Sequence, residues 1–418
     1  MNTAVQADIV VVGAGAAGLA TAIFAAQAEP TLNVHCLDGA KRVGAKILVS
    51  GGSRCNVTNR SVDERDFSSG SQRQVKRVLR AFPAARAVEF FSVLGVPLHE
   101  EEDGKLFPDT NRSRSVLDAL LRATADHGIA IHGQERVAEI VRANGGFLVR
   151  AANGEWRANR VVLATGGRSL PKTGSDGFGY TLATRLGHGY VETTPALAPL
   201  ILEGRRYHEL SGISHTAALT CGTGDHRVRR QGALLWTHFG ISGPVALDIS
   251  RHWHRASVER RPSGMTIDVC PSHTIDTLEE WMLQQRQTRP RALVVTAVSS
   301  LLPAAVAAQW CRAADIHDDT TMTHMSRDQR RTLVRTLKDT VLEVRDSRGY
   351  GYAEVTAGGI PLDEVDATSM ESRLCPGLHL VGEILDVDGR LGGFNFQWAW
   401  SSGWVAGHAI ARALRPRD

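Results

Sequence analysis

Gly13-Ala14-Gly15-Ala16-Ala17-Gly18 follows the apolar run Ile9–Val12 and opens a stretch of helix formers. A G-x-G-x-x-G between a strand and a helix is a mechanical device for holding a pyrophosphate. Gly13 permits the tight turn, Gly15 lets the backbone approach the anion, and Gly18 lets the helix pack against the strand. Ala14, Ala16 and Ala17 keep the intervening positions small. The helix N-terminus presents unpaired N–H groups and the positive end of its dipole. Asp38 lies 20 residues after Gly18, at the end of the next apolar run, where its carboxylate suits the two hydroxyls of a ribose. The chemistry is dinucleotide binding, and this motif leaves open which dinucleotide.

Three further segments favour FAD. The strand-like Val161–Leu163 runs into Ala164-Thr165-Gly166-Gly167, a pattern that lies over the flavin-binding half of such folds. Gly377–Val381 reads as a strand ending in Gly382-Glu383, with Glu383 and Asp386 as candidates for holding the ribityl chain. Gly392-Gly393-Phe394-Asn395 opens a last helix, whose N-terminus favours negative charge at the flavin N1/O2 edge. The segment from Gly44 to Asn59 mixes small residues with Lys46, Ser50, Gly51, Arg54, Cys55 and Asn56. Its backbone N–H groups and Arg54 suit a pyrophosphate, and the residues after them suit the lining of a flavin. Val137, at the start of an expected strand Val137–Val141, joins the same cofactor-binding set. No second G-x-G-x-x-G occurs. Electrons therefore come from a substrate, from a partner, or from NAD(P)H as a transient donor bound without that motif.

No catalytic residue stands out. His238, before a Gly-rich turn, is a candidate acid or base, although a lone histidine is more often structural. Cys55 is a candidate redox thiol, but no other cysteine forms a C-x-x-C with it. Asn395 is balanced between a flavin hydrogen bond and a helix cap. His252 and His254 flank Trp253 without a metal-ligand pattern, so no metal is expected. Trp398, Trp400 and Trp404 read as core of the last helix.

Composition bounds the rest. The chain has 418 residues, 43% of them hydrophobic, enough for two or three domains. Ile9–Ala28 is apolar and about as long as a membrane helix, but its three spaced glycines favour strand, turn and buried helix. Met1–Ala7 carries no positive side chain, which argues against a secretory leader. Six scattered cysteines argue against a disulfide framework or zinc site and for a reducing cytoplasm. Net charge is +4, with 42 Arg against 6 Lys spread along the chain. Runs such as Arg227–Arg230 and Arg251–Arg261 are short and read as solvated, which disfavours a nucleic-acid partner.

The expected fold class is α/β: a Rossmann-type FAD-binding domain with an inserted β-barrel-like domain and a small helical subdomain. Residues 1–190 and 349–418 form the discontinuous FAD-binding domain. Residues 191–275 alternate short apolar runs with turns and read as β-rich. From Met265 to Arg348 there is no glycine, although the chain has 41, and residues 276–348 read as a helical insert.

Gly13–Gly18, Lys46–Asn59, Thr237–Pro244, Val355–Ile360 and Gly382–Gly389 through Ser402-Gly403 together resemble the BaiN-like (HI-type) flavoprotein family. Its members go by NAD(P)/FAD-dependent oxidoreductase or aminoacetone oxidase family FAD-binding enzyme. The resemblance spans nearly the whole chain and implies an FAD domain with barrel-like and helical insertions. Ser53 stands where the family usually has a third glycine. Leu391 and Phe394 replace the usual Thr and Tyr, which removes a hydroxyl near the flavin. The expected activity is hydride transfer between flavin and a small organic substrate held where the domains meet. An FAD-dependent RNA-modifying protein and a flavin-binding protein without turnover are the alternatives. Oligomeric state is left open.

Overall fold

The computed structural model describes residues 4–143 and 145–415; Met1–Thr3, part of the segment read for a leader, lie outside them. The strand Val5–Val12 is central. Val34–Asp38 and Glu155–Leu163 flank it as parallel neighbours, and Ala130–Gly133 and Leu378–Leu380 lie parallel beyond these. An antiparallel meander, Val137–Ala143 and Gly146–Ala151, pairs onto Glu155–Leu163. Residues buried on both faces explain the near-continuous apolar runs. The register matters most for function. Val12 pairs with Leu37 and Leu163, and Leu163 pairs with Leu380. Four strands therefore end level, and Gly13, Asp38, Ala164 and Val381, the last just before Gly382, emerge side by side at one carboxyl edge, where open α/β sheets bind ligands.

The helix Ala16–Ala28 is buried along most of its length because the final helix, Phe394–Leu414, packs on it. Gly403 and Gly407 make this approach close. A Cβ at Gly407 would stand 2.8 Å from Ala25 N and from Thr21 O, and one at Gly403 would stand 3.1 Å from Ala17 O. The last helix buries polar side chains that are fully engaged, as burial requires. Trp398 Nε1 donates to Gly382 O (3.1 Å), and Trp400 Nε1 donates to Val57 O (2.9 Å). Gln397 accepts from Thr58 Oγ1 at 2.6 Å and donates to Phe82 O at 2.9 Å. Trp404 stacks on Phe82. Among the described residues, no helix is long and apolar enough to cross a membrane.

The chain divides into two compact units, one of residues 1–194 with 354–418 and one of 195–353. The second unit holds a seven-stranded sheet. Its two end strands, Thr340–Leu342 and Val344–Ser347, are separated by one residue of chain. A sheet whose ends follow each other that closely must curl round, which gives a barrel-like form closed by the chain itself. The helices Ile275–Thr288, Ala304–Ala313 and Arg327–Lys338 share a hydrophobic core with this sheet. Trp236 of the sheet and Trp310 of a helix sit 5.7 Å apart, each within 5.7 Å of the Tyr207 ring. Sheet and helices thus form one unit, without the border that the sequence places at 275. Thr274 and Ser326 start two of these helices with reciprocal capping boxes. The region read as all strands also contains a 15-residue helix, Pro244–Val258. Gly243 sits at its N-cap and Pro244 at its first position.

Candidate active site in the first unit

The Gly13–Gly18 turn is built as its spacing predicts. Gly13 adopts φ +101°, and a Cβ there would meet Ala164 O at 2.5 Å. A Cβ on Gly18 would fall 1.9 Å from Gly13 O. A Cβ on Gly15 would meet nothing within 4 Å, so open space faces the backbone at the one position where close approach to a ligand is expected. The helix that starts there has neither a side-chain cap nor an acidic residue in its first turn. Its first N–H groups and dipole are left for an anion.

Asp38 sits beside this turn, half-buried. Its Oδ2 accepts from Ala14 N at 2.7 Å and its Oδ1 from Ala40 N at 2.8 Å. Each carboxylate oxygen keeps a lone pair for a further donor. Glu135 N donates to Asp38 O at 2.8 Å, which brings the start of the Val137–Ala143 strand beside this acid; Val137 itself is buried. On the other side, Ala164 N donates to Val12 O, and Gly166 turns with φ +71°.

The C-terminal return closes on the same edge. Gly382 has φ +73°, and a Cβ there would stand 2.7 Å from Ala17 Cβ. Its neighbour Glu383 is the hub of a polar network. Its Oε2 pairs with Lys46 Nζ at 2.5 Å, while Oε1 accepts from Ser169 Oγ at 2.8 Å and from Thr356 N at 2.9 Å. Lys46 Nζ also donates to Ser169 Oγ. Four segments remote in sequence are thereby tied together. Glu383 Oε2 keeps a lone pair beyond its bond to Lys46. Asp386 donates its backbone N–H to Ile360 O.

The segment from Gly44 to Asn59 contains a helix, Ala45–Ser53, that breaks at Ser50-Gly51-Gly52. Gly51 and Gly52 are left-handed (φ +54° and +67°), and so are Ser53 (+67°) and Cys55 (+64°). Ser50 Oγ donates to Ile47 O at 2.7 Å. Asn56 sits at the end of this break. Its Oδ1 is buried with no partner and lies 2.8 Å from where a Cβ on Gly393 would be. A buried, unsatisfied acceptor calls for a donor. Gly392 and Gly393, both at positive φ, lead into the last helix, which also starts without a side-chain cap or an acid in its first turn; Phe394 is buried.

Several sequence candidates are engaged elsewhere. Arg54 pairs with Glu101 at 2.6 Å and lies over the Phe107 ring at 4.1 Å, so its guanidinium is directed to the strand pair Leu98–Glu100 and Lys105–Pro108. That bond, with help from His99, holds the Glu101 carboxyl below its ordinary range. Cys55 is buried, and burial pushes its thiol up to about 12, so no thiolate is present at neutral pH. Asn395 accepts from Gly389 N at 2.8 Å and donates to Gly389 O at 2.9 Å, and the N-cap is Gly393. His238 lies in the second unit, exposed on the turn after Val228–Thr237, with its ring against Phe239.

The first unit is a Rossmann-type domain whose level strand ends and two uncapped helices fit a dinucleotide. Residues 7–409 match the family model described as the HI0933-like protein Rossmann domain, and the chain belongs to that family. It is 30% identical over 402 residues to a 3-dehydro-bile acid delta(4,6)-reductase of Clostridium scindens, covering 96% of this chain and 98% of the relative. It is 31% identical over 406 residues to a ribosomal RNA dihydrouridine synthase of Escherichia coli, covering 97% and 98%, and 32% identical to the Haemophilus influenzae protein of that name. Among solved structures, an E. coli quinol fumarate reductase aligns with TM-score 0.51 at 19% identity, over all of this chain and 72% of the other. A 3-ketosteroid delta1-dehydrogenase from Sterolibacterium denitrificans aligns with TM-score 0.51 at 13% identity, over 98% and 100%. These likenesses show the fold. The chain is an FAD-dependent oxidoreductase by family.

Proposed function

We propose that this protein uses FAD, with NAD(P)H as reductant, to saturate an electron-poor C=C bond conjugated to a carbonyl. The relatives' names support the bond type. A delta(4,6) reduction beside a 3-oxo group and the conversion of uridine to dihydrouridine both add hydrogen across such a bond. Their substrates differ widely in size, so the shared feature is the conjugated ring.

The observation that carries the cofactor assignment is Asn56 Oδ1, buried and without a donor at the start of the last helix. When bound, FAD supplies hydride chemistry. Gly13–Gly18 would take the pyrophosphate and Asp38 the ribose, with Val137, Ala164, Thr165 and Gly166 alongside. Asn56, Gly51, Gly382, Gly392, Gly393 and Phe394 would hold the flavin half. The last helix, with free N–H groups at Gly393 and Phe394, favours negative charge at its N-terminus. Lys46, neutralised by Glu383, fixes the Ala45–Ser53 helix to the strand end.

Anaerobic stopped-flow tests the reading. The flavin should be reduced by NADPH or NADH and reoxidised by a 3-oxo-4,6-diene steroid or by uridine-containing ribosomal RNA, with a product heavier by two hydrogens. Failure of both donors to reduce the flavin, or reoxidation without a hydrogenated product, would refute it.

A further inference from the structure

The arginine-rich run Arg251–Arg261, which reads as a solvated face in sequence, gathers at a cavity in the second unit. The strands Ser214–Cys221 and Val228–Thr237 pair antiparallel, and the turn between them carries Asp225 and His226. The helix Pro244–Val258 carries Arg251 and Arg255 one turn apart, so they share a face. After the helix the chain reverses at Arg260 (φ +54°), and Arg261 N donates to Ala256 O at 2.8 Å. That reversal folds Arg261 back towards the helix. The result is a cavity of about 200 Å³, lined among others by His226, Arg251, His252, Arg255, Glu259 and Arg261.

Glu259 braces two of these guanidinium groups. Its Oε1 accepts from Arg255 Nε at 3.1 Å and its Oε2 from Arg261 Nε at 2.7 Å. The charged lining is three arginines against two carboxylates, Asp225 and Glu259. Arg230, from the neighbouring strand, adds to the field at His252. Burial, then Arg251, Arg230 and Arg261, hold the His252 imidazole down to about 3; no carboxylate is among the groups acting on it. A neutral imidazole ringed by cations keeps one N–H to donate.

We propose that this cavity binds a phosphate group, either of a small phosphorylated molecule or of an RNA strand. Planar guanidinium groups match phosphate oxygens bidentately, and several converging on one pocket are selective for that anion over chloride. Glu259 holds the Arg255 and Arg261 guanidinium groups in place at the cavity.

Isothermal titration of the holoprotein with inorganic phosphate, at ionic strength held constant with chloride, tests the site. The expected result is saturable binding that Arg251→Gln and Arg261→Gln, both in the lining, each weaken by about tenfold or more. Arg65→Gln, an exposed change in the first unit, should leave it unchanged. Circular dichroism and flavin content check folding of each variant, and Arg251→Gln keeps the test alive if Arg261→Gln misfolds. A short single-stranded RNA then separates the sources. If it binds, competes with phosphate and fails in the same variants, the phosphate belongs to a strand. If phosphate binds and RNA does not compete, it belongs to a small molecule. No saturable binding of either, or equal binding by the two variants and the wild type, overturns the proposal. Loss of flavin reduction with phosphate binding intact would instead refute the catalytic reading and leave this site standing.

Discussion

Replacing Lys46 with methionine isolates the network that joins the C-terminal return to the Ala45–Ser53 helix. The Lys46 and Glu383 side chains are 26% and 17% exposed, so the pair lies between the buried and surface regimes. Breaking a buried pair costs about 3–5 kcal/mol, whereas an exposed pair contributes at most about 1 kcal/mol. Glu383 would retain its bonds from Ser169 and Thr356 N, which softens the loss. The expected cost of Lys46→Met is therefore about 2 kcal/mol. Glu383→Gln should cost about 1–2 kcal/mol, because its amide keeps an acceptor for Thr356 N but turns donors towards the ammonium. With both replaced, that clash disappears, and the double change should cost about 1–2 kcal/mol less than the sum of the singles. Urea unfolding by circular dichroism, compared at unchanged slope, measures the cycle. A coupling below about 0.5 kcal/mol would show that the two groups do not act on each other, and the tie between the segments would fail.

Other changes test separate parts. Gly382→Ala places a Cβ 2.7 Å from Ala17 Cβ at a left-handed φ; it should cost about 2–3 kcal/mol and raise the FAD dissociation constant, and an unchanged flavin affinity would contradict the placement. Ser53→Gly should stabilise by up to about 1 kcal/mol, since serine sits at φ +67°; a lower melting temperature would count against the strain. The thiols of Cys36, Cys55, Cys270 and Cys311 are each raised to about 12 by burial. Their protonated form is favoured in the folded state, so the stability they contribute is full below the unfolded thiol pKa near 8.5. It is lost as pH rises towards 12, at up to about 1.4 kcal/mol per unit for each thiol. Urea midpoints flat from pH 8 to about 10 would refute this. Cys55 should accordingly resist iodoacetamide in the native state, and stoichiometric native labelling would contradict its burial.

The dinucleotide half was legible because its signal is local. Gly13–Gly18 and Asp38 lie within one strand–helix–strand unit; Gly13 and Gly18 answer close contacts that the spacing anticipates, and Gly15 faces the open space it anticipates. The helix Ala45–Ser53 was not legible, because Ser50-Gly51-Gly52-Ser53 reads as loop while the break it encodes depends on packing against Phe107 and Asn56. The helix Pro244–Val258 had a readable start in Gly243-Pro244, but the surrounding β-patterning masked it. Arg54 and Asn395 were the right residue types in the right segments, and nothing local reveals that Glu101 and Gly389 claim them. The Lys46–Glu383 pair spans most of the chain, and the arginine cavity needs a helix reversal at Arg260; neither is visible without the fold.

Releasing the cofactor from the purified protein by heat and identifying it by chromatography and visible spectrum tests the central claim most directly. Stoichiometric FAD, with a spectrum that changes on Asn56→Ala, is the expected result. Release of NAD, or of no dinucleotide from protein that binds none when FAD is supplied, would contradict it.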